Sequence, residues 1–313
     1  MNVKTALITG ALGFCARHLT GKLHDLDDEI RVCGIDLAEQ APSGITLDDY
    51  FQVDICNPDK LEGFIKLLKP DWIFHLAGFI GDNLSHIYSV NFMGSIYLLE
   101  LVRKYSPESR IVIIGSSAEY GLASPKDFPL IEDHPCHPIN AYGISKHAVV
   151  LAGLNYVQSH RMKIVIARPF NIVGTGIPET LVVGAILKRI KNSLNQKDKL
   201  IIKMGNLHTE RDFIDVNDVV DAYIKMVQGD FWGEIFNICS GKPYSIRRIV
   251  ELIASFSGLP VEIEYDPALV RLPDIDVSFG SYAKANGAFG FKPLVDIEQA
   301  LFEAWQQYMK SNS

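Results

Sequence analysis

The segment Tyr142-Gly143-Ile144-Ser145-Lys146 sets a phenol four residues before an ammonium. In a helix those positions lie on one face, a turn apart. A phenol alone ionises near pH ~10, and a neighbouring cation favours the phenolate. The pair can therefore give and take a proton closer to neutrality. The same spacing also occurs on solvated helix faces, so its chemistry depends on what else the chain brings to it. Two hydroxyls, Ser116 and Ser117, follow the apolar run Ile111–Gly115, which reads as a buried strand. A proline-rich loop (Pro125, Pro129, Pro135, Pro138) then leads to the helix of Tyr142 and Lys146, extending to about Ser159.

The elements that must position these groups begin at the N-terminus. Residues 3–9 read as a short apolar strand, Gly10-Ala11-Leu12-Gly13-Phe14-Cys15-Ala16 follows, and an amphipathic helix runs to about Leu26. Strand, glycine turn, helix is the context that gives a glycine motif meaning. Gly10 permits the tight turn. Gly13 lets the backbone approach a pyrophosphate at the helix N-terminus, where free N–H groups and the helix dipole favour anions. A second strand, Ile30–Ile35, ends in Asp36. An acid there accepts hydrogen bonds from adenosine ribose hydroxyls and repels a 2′-phosphate, favouring NAD(H) over NADP(H). Its other reading is a loop cap.

The alternation continues. Phe51–Ile55 reads as a strand with Asp54-Ile55 at its end, where adenine could sit, and a helix spans Pro58 to about Leu68. Asp71–Leu76 is the next strand, and His75-Leu76-Ala77-Gly78 sets small residues against a cofactor. His75 itself reads as a packed strand-end histidine. A long helix covers 84–105, with Asn91 and Gly94 midway, and Ile164–Arg168 is a further strand. Strands and helices alternating over residues 3–168 imply an α/β fold, a Rossmann-type doubly wound parallel sheet. Ligands of such sheets bind at strand carboxyl ends. Gly10, Asp36, Asp54, Ala77, Ser116 and Arg168 all fall there.

After Pro169 the rhythm loosens. Gly174-Thr175-Gly176 and Pro178 mark a loop, and Glu179–Lys191 reads as a helix. Ile201–Met204 and Ile235–Ile238 read as strands, Val216–Val227 and Ser245–Phe256 as helices. A strand near Val261–Tyr265, a polar stretch at Arg271-Leu272-Pro273-Asp274 and a helix from Asp296 close the chain. The expected division is a dinucleotide-binding domain at 1–170 plus about 212–240, and a smaller discontinuous α/β lobe at 171–211 and 241–313.

The chain has 313 residues, 48% hydrophobic and 21% charged, an ordinary globular composition. A net charge of −7 argues against a general nucleic-acid surface, which needs a basic face. A small anionic ligand needs only a local basic pocket. The five cysteines (Cys15, Cys33, Cys56, Cys136, Cys239) include no Cys-x-x-Cys, so neither a zinc knuckle nor a disulfide framework is indicated. No histidine or acidic cluster has ligand spacing, so no metal is expected. No apolar run approaches the ~20 residues that span a bilayer. Met1-Asn2-Val3-Lys4 runs into a strand without a signal peptide, so a cytoplasmic, non-membrane protein is expected.

Together these segments resemble the extended short-chain dehydrogenase/reductase family, the NAD-dependent epimerases and dehydratases. The matching motifs are Thr9-Gly10-x-x-Gly13-Phe14, Asp54-Ile55, His75-Leu76-Ala77-Gly78, Ser116-Ser117-Ala118-Glu119-Tyr120-Gly121, Tyr142-x-x-x-Lys146, Arg168-Pro169-Phe170-Asn171 and Arg211-Asp212. The resemblance covers essentially the whole chain and implies NAD(H), with NADP(H) as the alternative, and a nucleotide-diphosphate sugar substrate. It makes Tyr142 the catalytic acid/base, and Lys146 the group that lowers its pKa and binds the nicotinamide ribose. It makes Ser116 the hydroxyl that bonds the reacting sugar oxygen, with Ser117 as the fallback. Cofactor contacts are implied at Gly10, Leu12, Gly13, Phe14, Asp36, Asp54, Ile55, Leu76, Ala77, Gly78, Tyr142, Lys146 and Pro169. Substrate contacts are implied at Asn171, Gly205, Asn206, Arg211 and Arg271, the two arginines at the pyrophosphate. The helices at 84–105 and 141–159 match those that pair across a two-fold in this family, so a homodimer is expected.

Residues 111–121 and 201–256 are similar to the GDP-4-dehydro-6-deoxy-D-mannose reductases of that family. Its dehydratases carry a Glu two residues after the catalytic hydroxyl, to remove a C5 proton. That position is Ala118 here, and Glu119 is displaced by one residue. A methyl cannot act as a base, so dehydration is disfavoured. The expected activity is a nucleotide-sugar 4-keto reductase. The alternatives are a reductase of dTDP- or CDP-linked 4-keto-6-deoxy sugars, a C4 epimerase, and, remotely, a non-catalytic dinucleotide sensor.

Overall fold

The last four residues of the strand Lys4–Thr9 are fully buried and do not alternate with exposed ones. Such a strand needs cover on both faces and therefore belongs inside a parallel sheet. In the computed structural model it lies there. The structure describes residues 3–26, 30–42, 44–194, 199–270 and 275–310. In the first half come β1 (Lys4–Thr9), α1 (Phe14–Leu26), β2 (Ile30–Asp36), β3 (Asp49–Gln52), α2 (Pro58–Leu68) and β4 (Trp72–His75). They are followed by α3 (Leu84–Tyr88), α4 (Ser95–Tyr105), β5 (Arg110–Ile114), α5 (Ala141–His160) and β6 (Lys163–Pro169). The second half holds β7 (Asn171–Val173), α6 (Val182–Ser193), β8 (Leu200–Met204), β9 (Glu210–Asp215), α7 (Val216–Gln228) and β10 (Ile235–Ile238). It ends with β11 (Pro243–Ser245), α8 (Ile246–Ser255), β12 (Val261–Tyr265), β13 (Val277–Ser278), α9 (Ala283–Phe289) and α10 (Ile297–Lys310).

The main sheet has seven strands in the order β10-β6-β5-β4-β1-β2-β3, all paired in parallel. The order reverses between β1 and β4, the switch point at which such sheets open a crevice. One face packs on α1 and α7 through residues such as Leu19, Leu23, Val219 and Val220. The other packs on α2, α4 and α5 through Leu61, Leu98, Val149 and Val150. A further core, with Ile186, Ile249, Ile253 and Leu301, joins α6, α8 and α10 over two small sheets. These are β11-β9-β13 with β7 on β9, and β12-β8.

The doubly wound parallel α/β reading therefore holds, and several local expectations are corrected. The helix expected over 84–105 is two helices joined by a π-helical turn at Ser89–Gly94. The strand expected at 51–55 ends at Gln52, so Asp54 stands just beyond it. The helix expected from Glu179 starts at Val182. The stretches read as loop or left unassigned contain β7, β9, β11, β13 and α9. A two- or three-residue strand has no pattern of its own; its partner across the sheet makes it one.

Candidate active site

The switch point is built from glycines. Gly10 turns the chain after β1 at φ 67°, and a Cβ on it would lie 2.8 Å from the Ala77 backbone. The ends of β1 and β4 can therefore touch only at glycine. Gly13 closes the turn by donating to the Gly10 carbonyl at 3.0 Å, and its own Cα is exposed. Gly78 is exposed as well. Beside this turn lies the start of α1, and the first N–H groups of a helix suit a pyrophosphate. Leu12 N donates to Asp36 Oδ2 at 2.9 Å and Leu37 N to Oδ1 at 2.7 Å. The carboxylate is thus fixed beside the turn, with acceptor capacity left on each oxygen. Asp54 is exposed, while Ile55 is buried against Gly94, whose missing side chain makes room for it. These residues fit a dinucleotide laid across the strand ends.

The proton-handling groups meet on the other side of that turn. Asn140 caps α5, accepting from Gly143 N at 2.8 Å. A Cβ on Gly143 would lie 2.5 Å from the Ala118 carbonyl, so α5 begins directly against the serine loop. That contact sets the Tyr142 phenol beside the Ser116 hydroxyl, which pulls its pKa down. Lys146 is almost wholly buried; its Nζ donates to the Ile114 carbonyl at 2.9 Å and faces Gly78. Burial drives its pKa down to about 8, against a smaller upward pull from Glu119. Burial also pushes the partly buried Tyr142 up to about 12, with the nearby Ser116 hydroxyl opposing. The expected lowering of the phenol by the lysine is therefore not what dominates here: desolvation does.

Beneath the pair runs a buried polar chain. Thr9 Oγ1 meets His75 Nδ1 at 2.7 Å, and His75 Nε2 meets Ser95 Oγ at 2.7 Å. Ser95 donates to the Asn91 carbonyl. Asn91 Oδ1 accepts from Phe79 N at 2.6 Å, and its Nδ2 donates to Ser145 Oγ at 2.9 Å. Burial lowers the His75 pKa to about 3, so it is a neutral packed histidine as expected. Asn91 had no role assigned from sequence. Its signal was a polar residue on an otherwise apolar helix face; the π-helical turn, invisible in sequence, aims it at the strand end.

Past β6, which ends at the buried Pro169, the chain enters the strands of the small sheets. Asn171 Nδ2 donates to the Asp212 carbonyl at 2.8 Å. Arg211 lies beside Asp212 on β9, half-buried, with NH1 donating to the Glu210 carbonyl. Asp212 is wholly buried and accepts from Ser240 N and Oγ, Gly241 N and Gly280 N. Burial raises its pKa to about 6. It pins two loops around the strand that carries the arginine, a role sequence reading did not assign. Gly205 is buried, and a Cβ there would lie 2.5 Å from the Leu269 carbonyl, so two loops meet at it. Asn206 Oδ1 accepts from His208 N at 3.1 Å. Arg271 lies outside the described residues. The fold thus gathers the residues expected to hold a cofactor and to handle a proton at the carboxyl ends of the strands, with Asn171 and Arg211 on paired strands.

Residues 6–239 match the model of the NAD dependent epimerase/dehydratase family. The chain belongs to that family. It is 28% identical to a GDP-6-deoxy-D-mannose reductase of Pseudomonas aeruginosa over 94% of this chain and 93% of the relative. It is 29% identical to a GDP-6-deoxy-D-talose 4-dehydrogenase of Aggregatibacter actinomycetemcomitans, over 91% of this chain and 90% of the relative. The solved structure of RMD from Pseudomonas aeruginosa complexed with NADPH superposes with a TM-score of 0.85 at 25% identity, covering 99% of this chain and 98% of that one. The protein is an NAD(P)-dependent enzyme of the extended short-chain dehydrogenase/reductase type, within the nucleotide-sugar reductases and epimerases. No described helix is long and apolar enough to cross a membrane.

Proposed function

We propose that the protein reduces the C4 ketone of a nucleotide-linked 4-dehydro-6-deoxy hexose, with GDP-4-dehydro-6-deoxy-D-mannose to GDP-D-rhamnose as the leading assignment. The observation that carries this reading is a neutral Tyr142 phenol set beside the Ser116 hydroxyl, next to the glycine turn where a dinucleotide fits. When bound, a reduced nicotinamide supplies hydride to the ketone carbon. The oxygen that becomes an alkoxide then needs a donor and a proton. Ser116 provides the hydrogen bond and Tyr142 Oη the proton. Lys146 places a positive charge behind the phenol and can receive the nicotinamide ribose. Ala118 stands where a dehydratase base would, and a methyl cannot abstract a proton.

The lobe of residues 171–211 and 241–313 selects the sugar nucleotide in this reading, with Asn171, Gly205, Asn206, Arg211 and Arg271 toward it. Guanidinium groups suit a pyrophosphate because they stay charged and bind bidentately. Asp36 selects NADH. Both named relatives act on GDP-linked 6-deoxy sugars, which supports the nucleotide assignment. Two protomers would pair through α3, α4 and α5, where Leu84, Tyr88, Ile144 and Leu151 are exposed. The deciding experiment is a screen of GDP-, dTDP-, CDP- and UDP-linked 4-keto-6-deoxy sugars followed by nicotinamide absorbance. Stoichiometric oxidation of NADH with the GDP sugar is expected. Isomerisation without net oxidation would make the protein an epimerase.

A further inference from the structure

Glu119, three residues beyond Ser116, is wholly buried. Its Oε1 accepts from the Ser116 N–H at 2.7 Å, while the Ser116 hydroxyl accepts from Ala118 N at 3.2 Å. This is a reciprocal capping box around the serine. Gly115 makes room for it, because a Cβ there would overlap Oε1. Oε2 accepts from Arg168 on β6 at 2.9 Å and faces His147 Nδ1 on α5 at 3.4 Å. His147 follows Lys146 directly. One carboxylate therefore ties the serine loop to β6 and to the helix that carries the proton donor. A buried ion pair is a poor way to gain stability, since an apolar residue of similar volume does as well. Glu119, Cys136 and His147 offer donor atoms within 4.8 Å of one another, a proximity the sequence did not show. The positive charge already on that carboxylate is the Arg168 guanidinium.

We propose that Glu119 is a positioning residue, holding the Ser116 hydroxyl against the Tyr142 phenol by joining the serine loop to α5 and β6. Since Glu119 acts through Ser116, this role rests on the ketone-reductase reading above. The charged and titratable groups facing it are Arg168 on β6, His147, Lys146 and Tyr142 on α5, and Cys136 on the loop before α5. Its negative charge favours the protonated forms of both Tyr142 and Lys146, the forms a proton donor and its cation need. Replacing the carboxylate with an amide removes that charge and leaves Arg168 unpaired. Both changes push the two groups toward deprotonation.

Glu119→Gln is the test, in the dinucleotide-loaded protein with whichever ketone the screen identifies. The expected result is a fall in kcat of roughly 10- to 100-fold with KM and dinucleotide Kd within about 2-fold, since only transition-state placement is lost. The Lys146 side chain, followed by NMR in [13C]lysine-labelled protein and assigned with Lys146→Arg, should titrate roughly one pH unit lower than in the wild type. That readout needs no substrate, so it stands even if no ketone is reduced and the functional reading falls. Should Glu119→Gln fail to fold, His147→Ala removes a partly exposed partner of the same carboxylate and should lower kcat several-fold with the same KM. A folded Glu119→Gln variant with kcat within about 2-fold of wild type, or with an unmoved Lys146 midpoint, overturns the role. An unaffected His147→Ala variant beside an unfolded Glu119→Gln one overturns it too.

Discussion

Tyr142→Phe removes one oxygen atom and leaves the ring. The phenol is partly buried beside the Ser116 hydroxyl and gives up at most one neutral hydrogen bond. Such a bond is worth about 1 kcal/mol net, so Tm should move by about 3 °C or less in a chain of this size. Lys146 keeps its bond to the Ile114 carbonyl, and the glycine turn at Gly10 and Gly13 is untouched. Dinucleotide Kd, followed by nicotinamide fluorescence, should therefore stay within about 3-fold of wild type. The chemical step loses its proton donor. A positioned general acid contributes about 10²- to 10⁴-fold, or about 3 to 5 kcal/mol of barrier. Single-turnover loss of NADH absorbance with the ketone should slow by that factor. A rate within about 3-fold of wild type would refute the role of Tyr142. A parallel loss of rate and dinucleotide affinity would instead show that the phenol serves binding.

Three other outcomes follow from the same geometry. Asp36→Ala should raise the NADPH-to-NADH ratio of kcat/KM about tenfold, the effect of removing one charge near a 2′-phosphate; a wild-type protein that already strongly prefers NADPH would contradict the Asp36 reading. Lys146→Met should abolish turnover yet stabilise the fold by about 3 kcal/mol at pH 7, as read by urea denaturation. The lysine pKa is depressed from 10.5 to about 8 in the folded chain, so the unfolded chain binds more protons between those values. Stability of the wild type therefore rises with pH through that window, the cost of the buried charge being fully present below it, and the advantage of Lys146→Met should vanish by about pH 11. A Lys146→Met protein less stable than wild type at pH 7 would count against this account. Finally, Leu151→Arg on the exposed face of α5 should convert a dimer to monomers in light scattering, and a wild-type monomer would sink the proposed pairing.

How far the site could be read in sequence differs from residue to residue. Gly10, Gly13 and Asp36 were legible because each meets a local demand: a positive φ, a bare backbone, an acid at a strand end. The helical spacing of Tyr142 and Lys146 was legible for the same reason. Asn91 was not, since a π-helical turn arises from packing around Ile55 and Gly94 rather than from composition. Glu119 could be excluded as a dehydratase base by counting, but its partners Arg168 and His147 lie 49 and 28 residues away. Asp212 shows the same limit, because its donors come from loops near 240 and 280.

The sequence by itself determined the alternating α/β order, the phosphate turn, and the types of group available to move a hydride's accompanying proton. These are local matters of backbone freedom and side-chain periodicity. Tertiary structure alone decided that burial rather than a cation governs Tyr142, and that Glu119 binds the serine loop to its helix. Those outcomes depend on desolvation and on contacts between distant segments, and neither is written in the spacing of neighbours along the chain.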